Sequence, residues 1–237
     1  FAQFEEIDIV QRAVVPPVEV TDLDLAQMPE VMRICNILPL SARHAALAQA
    51  LARGEDPDAR CPFGAMPIDT LYTDADGKGL AMLLAHGVDA TDYGWSDAHL
   101  AVISGDAIAL GKCDPALFSQ VDNLGDTPFL LACRFGQEAA VCSLMPATIP
   151  PIALLIAAES GAVAVMAALI DAGADVNATT EDGNCALLAA IEHGRVDMVN
   201  AVLEWGASLD ARIDLTRPSP RPDPSVVTGL DLMMARM

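Results

Sequence analysis

The sequence predicts an all-α solenoid of about six helix-turn-helix repeats closed by a C-terminal capping helix, and three observations predict it. Leu169–Ala178 reads Leu-Ile-Asp-Ala-Gly-Ala-Asp-Val-Asn-Ala, and Val202–Ala211 reads Val-Leu-Glu-Trp-Gly-Ala-Ser-Leu-Asp-Ala, so that Gly173 and Gly206 stand 33 residues apart. The same phrase occurs upstream at Leu51–Ala59 and Leu83–Ala90, where Gly54 and Gly87 are again 33 apart. A fixed period of this length marks a stacked repeat, which offers an extended surface instead of a closed pocket. The third observation is composition: the chain is 53% hydrophobic but only 4% aromatic. Such a core is built from Ala, Leu, Val, Ile and Met, the small and slender residues that closely stacked helices need.

Each phrase ends a helix on an apolar pair and then supplies a glycine, which tolerates the left-handed backbone that closes a helix. The helix openings lie ahead of these phrases. The clearest is Gly125–Gly136, in which Thr127 can cap and Pro128 can take the first helical position, where its missing N–H costs nothing. Looser copies stand at Gly94–Ala101 and Gly183–Ala190. The helix-turn slots fall at Ala42, Ala75, Gly105, Gly136, Gly161 and Gly194, at intervals of 33, 30, 31, 25 and 33. The short interval leaves Ser143–Pro150 as the whole connection between two repeats, whereas Thr216–Ser225 is a proline-rich insertion that favours a stiff loop. Ala147–Ile170 carries Glu159 as its sole charge, yet Pro150, Pro151 and Ser160-Gly161 break it into two repeat helices instead of a membrane span.

At these residues the chain resembles the ankyrin-repeat family over roughly residues 30 to 212, and Thr228–Met234 looks like a final capping helix. The resemblance implies a unit of a β-turn finger plus two antiparallel helices, in a domain spanning 26–237 behind an acidic extended arm at 1–25. That arm carries Glu5, Glu6, Asp8, Glu19, Asp22 and Asp24, and could shield the first repeat or reach a partner. Departures from the family pattern are plain. Thr127-Pro128 alone keeps the opening pair, His99 alone keeps the histidine, and Met66, Ile152 and Cys185 stand where a capping hydroxyl is expected. Each lost cap should cost about 1 kcal/mol.

Charge and side-chain chemistry exclude several classes. A net charge of −20 has the wrong sign to neutralise phosphates, which argues against nucleic acid and against an anionic membrane surface. The six cysteines form no C-x-x-C pair and no histidine lies beside one at ligand spacing, so no metal site is expected. Cys133, Cys142 and Cys185 fall within predicted helices, and a reduced, cytoplasmic chain is the favoured reading. Asp74-Ala75-Asp76-Gly77 begins like a calcium loop, but its glycine comes too early and Ala85 replaces the closing glutamate. Gly77-Lys78-Gly79 is too short for a phosphate loop, and neither His86 nor His99 has a nucleophile near it in sequence. Asn177-Ala178-Thr179 matches a glycosylation acceptor, though it lies inside the repeat phrase. No enzyme activity and no cofactor are expected.

The resemblance implies partner binding through finger tips and the exposed ends of the first helices. Carried onto this chain, those slots are Asp92, Tyr93, Trp95, Ile103 and Ser104; then Asn123, Leu124, Asp126, Arg134 and Phe135; then Glu181, Asp182, Asn184, Glu192 and His193. Tyr93, Trp95, Leu124 and Phe135 would form an aromatic and apolar patch rimmed by acids, the composition of a binding hot spot; the other reading tucks Trp95 or Phe135 against its own helix pair. The expected function is a non-catalytic, protein-binding module for a folded basic partner, monomeric when free. Alternatives are an inhibitor that neutralises a basic toxin or enzyme, and the repeat portion of a larger enzyme or effector. Arginine outnumbers lysine, of which only Lys78 and Lys112 occur, in an Ala-rich chain, a usage that fits a GC-rich bacterial genome and the inhibitor role.

Overall fold

The structure, a computed structural model, describes residues 28–61 and 65–208. Within them the chain forms six antiparallel helix pairs: α1 (Glu30–Ile37) with α2 (Leu40–Ala52), α3 (Pro67–Thr73) with α4 (Gly77–Ala85), and α5 (Asp97–Ser104) with α6 (Ala107–Leu110). The remaining pairs are α7 (Pro128–Arg134) with α8 (Glu138–Leu144), α9 (Pro151–Ser160) with α10 (Val163–Asp171), and α11 (Ala186–Glu192) with α12 (Val196–Glu204). Short 3-10 turns occupy Thr91–Tyr93 and Pro115–Ser119, and one antiparallel bridge joins Thr179 to Cys185 within a finger. The proposed capping helix at 228–234, the proline-rich insertion at 216–225 and the arm at 1–25 lie outside the described residues.

First helices stack on first helices from α5 through α7 and α9 to α11, and second helices from α6 through α8 and α10 to α12. Small residues permit this close approach. Ala98, Ala132, Ala153, Ala157, Ala158 and Ala190 have almost no exposed surface, and larger aliphatic groups such as Leu71, Leu131, Met166 and Met198 fill the space between the two layers. Between the second and third pairs the packing runs instead from α4 to α5.

The turn slots carry this geometry. Ala75, Gly105, Gly136, Gly161 and Gly194 have φ of 56°, 67°, 67°, 75° and 63°, each between the two helices of its pair. Ala75 is the one non-glycine residue with positive φ among those described. The expected slot at Ala42 is corrected: Ala42 lies inside α2, and the chain turns at Leu38-Pro39, both extended. Pro39 pushes the preceding residue out of helical backbone, so this turn needs no left-handed residue. Ile152 is likewise displaced, because α9 begins at Pro151 with Pro150 at its N-cap. Met66 and Cys185 do occupy N-cap positions, and Asp69 accepts the Met66 N–H at 2.9 Å in partial compensation. Thr127 caps α7 through Leu130 N–H at 3.3 Å.

Asp74–Gly77, which in sequence begins like an ion-binding loop, is a clamped helix turn. Arg43 of the first pair lies 2.7 Å from Asp74 and 3.4 Å from Asp76, and His44 Nε2 lies 2.7 Å from Asp76. Asp76 also accepts the Gly79 N–H and so caps α4. Arg43 and Asp76 are both buried. Of the cysteines, Cys142 is exposed on α8, Cys185 sits at the N-cap of α11 instead of within it, and all six are unpaired thiols. Burial pushes the Cys35 and Cys133 thiols up to about 12, which keeps them protonated and unreactive. Among the described residues no helix is long and apolar enough to cross a membrane, and the apolar stretch around Glu159 is the α9–α10 pair.

Candidate functional site

Tyr93 and Trp95 leave the 3-10 turn before α5, Phe135 and Arg134 end α7, and Tyr72 ends α3. The turns bring these side chains to one place. Tyr93 stacks on Trp95 with ring centroids 4.5 Å apart, and Tyr72 lies 6.0, 6.3 and 6.2 Å from Tyr93, Trp95 and Phe135. The Arg134 guanidinium sits 5.1 Å over the Tyr72 ring, within cation–π range. Phe135 packs against Gly77, where an added Cβ would come to 3.0 Å of its ring. One aromatic group therefore joins the second, third and fourth helix pairs.

Every polar end of this group meets an aspartate. The Tyr72 hydroxyl donates to Asp126 at 2.6 Å, and Arg134 reaches the same carboxylate oxygen through Nε at 3.1 Å and Nη2 at 3.0 Å. Trp95 Nε1 donates to Asp122 at 3.1 Å, and the Tyr93 hydroxyl donates to Asp69. Asp122 in turn accepts the backbone N–H groups of Leu124 and Asp126 at 2.9 Å, which fixes the finger loop. His99, fully buried, links Ser96 at 2.8 Å to the Asp126 carbonyl at 3.0 Å, a structural role. Burial pushes both tyrosine hydroxyls above their ordinary range. The carboxylates that accept their protons add to this, while Arg134 opposes it at Tyr72.

Several expected contact residues are thus turned inward. Ile103 is 1% exposed, Tyr93 6% and Asp126 6%, so none of them presents its side chain on an outer surface. Their removal has a physical reason: Ile103 is on the core face of α5, and Tyr93 and Asp126 are held by the partners just given. Trp95, Leu124, Arg134 and Phe135 are half-buried. Ser104 is exposed, its hydroxyl donating to the Ala101 carbonyl. Asp92 and Asn123 are exposed and adjacent, with Asn123 Nδ2 donating to the Asp92 carbonyl at 2.8 Å. Asp182, Asn184, Glu181, Glu192 and His193 are exposed on the sixth pair and its finger, beyond the fifth pair from the first two sets. Tyr72 and Asp69 were missed from sequence. Tyr72 stands three residues before Ala75, the register at which Val102, Cys133 and Ala158 also turn inward, and that register was the available signal.

The fingers are tied edge to edge. Asp58 accepts the Asp89 N–H at 3.1 Å, and Asn177, the glycosylation-type asparagine, donates to the Gly206 carbonyl at 3.2 Å and accepts the Ser208 N–H at 2.7 Å. Between α8 and α9 there is no finger, only residues 145–150, so the row is interrupted as the shortened interval requires. Asp56, Asp89 and Asp175 are exposed and accept backbone N–H groups two residues on, as turn-forming aspartates do. The Asp89 carboxyl is held below its ordinary range by the Thr91 hydroxyl and then by the Thr91 N–H. Among the described residues no group of three or more His, Cys, Asp or Glu is placed to hold a metal.

Comparison with known families agrees with this architecture. A family model described as ankyrin repeats (3 copies) matches residues 149–213, which contain the α9–α10 and α11–α12 pairs and the finger between them. No curated protein matches the chain. Ankyrin repeats are generally protein–protein interaction modules and their domains are typically non-catalytic. That match over residues 149–213, together with five of the six helix pairs turning at left-handed slots, gives the described residues the architecture of an ankyrin-repeat solenoid.

Proposed function

We propose that the protein is a non-catalytic binding module for a folded, basic protein, contacted through the finger tips and the exposed ends of the first helices. The observation that carries this reading is the distribution of charge. Asp56, Asp89, Asp92, Asp175, Asp182 and Glu192 are exposed along the finger side, in a chain of net charge −20. Meanwhile Arg43, Arg53 and Arg134 are engaged with carboxylates of the same chain, so they do little to offset the surface acid. An acidic face of this kind steers a basic partner and fixes its orientation. The aromatic group contributes half-buried edges of Trp95 and Phe135 at most. Contact then rests on Asp92, Asn123, Asp182, Asn184, Glu181, Glu192 and His193.

The free chain in this reading is a cytoplasmic monomer, and an inhibitor covering the active site of a basic toxin or enzyme is its narrower form. The test is affinity capture from native lysate at low and high ionic strength. It uses the parent chain and an Asp92→Asn, Asp182→Asn, Glu192→Gln variant. Basic proteins should be retained at low salt, released at high salt and lost with the variant. Equal retention by the variant and the parent sinks the reading. If the captured protein is an enzyme, loss of its turnover at equimolar chain identifies the inhibitor form.

A further inference from the structure

The second residue of each first helix marks the place where the row of fingers is broken. Val31, Ile68, Ala98, Phe129 and Leu187 hold this register in α1, α3, α5, α7 and α11, and each is 5% exposed or less. Ile152 holds it in α9 and is 37% exposed. The difference lies in what precedes the helix. Gly136 and Gly161 stand 25 residues apart against the full period of 33, and the missing length is the finger, so residues 145–150 run straight from α8 into α9. Met145 and Ile149 on that connection pack on the core but are only half-buried. An apolar notch formed by Met145, Ile149 and Ile152 therefore stands where the other repeats carry a finger. No residue from Ala139 to Ala158 is charged.

We propose that this notch receives an apolar side chain of the basic partner, an aliphatic or aromatic residue flanked by lysine or arginine; the inference rests on the acidic-face reading given above. Charge selects this occupant. Because α9 stacks between α7 and α11, the notch lies between their two fingers. On one side Asn123 is exposed beside Asp92, and on the other Asp175 and Asp182 are exposed. A second copy of this chain, itself at net −20, is repelled from such a rim. An acidic segment is repelled in the same way, and a neutral one gains nothing from the flanking carboxylates. A basic segment is drawn to both fingers, and an apolar residue between its cations meets the one uncharged gap in the row. Binding energy concentrates where an apolar anchor is buried inside a polar rim. A basic protein that lacks the anchor is still steered to the fingers but leaves Ile152 in water, so the notch discriminates among basic partners.

Titration of the full chain, carrying carbon-13 in its isoleucine methyl groups, with three short peptides at low salt tests this. The probes are Lys-Lys-Leu-Lys-Lys, Lys-Lys-Ser-Lys-Lys and Glu-Glu-Leu-Glu-Glu. The first should bind at least fivefold more tightly than the second and shift the Ile152 methyl signal, and the third should not bind. The preference for leucine should vanish in Ile152→Ser and persist in Ile152→Val, while the methyl signals of the buried Ile68 and Ile103 stay in place and report an intact fold. Equal affinity for the two lysine peptides overturns the notch and leaves the acidic face standing. Binding of the glutamate peptide as tightly as its lysine counterpart overturns both. Failure of every peptide to bind, or a leucine preference that survives Ile152→Ser, also overturns the proposal. So does an Ile152 signal that shifts without peptide as the mass doubles, which assigns the notch to a second copy.

Discussion

Ala75 is where the backbone carries a cost that one side chain decides. Its φ of 56° occupies the slot that four other repeats fill with glycine, and a left-handed residue with a Cβ costs about 1–2 kcal/mol. Ala75→Gly removes that cost but loosens the unfolded chain by about 0.4–1 kcal/mol. The net should be stabilisation of about 0.5–1 kcal/mol, seen as a rise in melting temperature of a few degrees; a fall would show the slot to be unstrained. What holds Ala75 in place is its flanks, since Arg43 grips Asp74 and Asp76 on either side. Arg43→Met strands the buried Asp76 with His44 as its remaining side-chain partner, and removing one member of a buried ion pair costs about 3 kcal/mol or more. Urea unfolding should show this as a lower midpoint with the slope unchanged. A loss below about 1 kcal/mol would place the clamp among exposed pairs.

At the scale of elements, the aromatic group is a strut across three helix pairs, and its titration reports its integrity. Tyr72 and Tyr93 are the chain's two tyrosines. Both hydroxyls are raised above the ordinary value near 10 by burial, so the folded state keeps protons that the unfolded state releases. The stabilisation they give is complete below about pH 10 and is lost as pH rises further. Tyrosinate absorbance and loss of helical circular dichroism should therefore appear together, in one cooperative step above pH 10. Ionisation of both tyrosines near 10 in a chain that keeps its helices would mean that the hydroxyls are open to solvent. The same group marks how far the sequence could be read. Gly105, Gly136, Gly161 and Gly194 were legible because a local backbone demand selects glycine, whereas Ala42 misled because Pro39 meets the demand by another route. The inward turn of Tyr93 and Asp126 was not legible, since it depends on Tyr72, 54 residues before Asp126, and on Asp69, 24 before Tyr93. Pairings at that separation are set by stacking, which no local pattern records.

For the whole molecule, the decisive quantity is charge on a quasi-one-dimensional stack. Each repeat is stabilised by its neighbours alone, so repulsion among surface acids acts along the full length. At net −20 that repulsion opposes the folded state and is screened by salt, while the buried Arg43–Asp76 contact and the partly buried Arg134–Asp126 contact are screened less. Raising sodium chloride from about 10 mM to 150 mM shortens the screening length from roughly 30 Å to 8 Å, from several repeat steps to less than one. The isolated chain should therefore melt at a higher temperature in the saltier buffer. The proposed binding to a basic partner should have the opposite sign, because the same screening would remove the attraction that steers it. Scanning calorimetry of the free chain and titration with the captured partner, each at the two salt concentrations, would separate the effects. A melting temperature that falls with salt would mean that ion pairs, and not repulsion, dominate the folded stack. A partner affinity unchanged by salt would remove the acidic fingers from the interface and return attention to the exposed edges of Trp95 and Phe135.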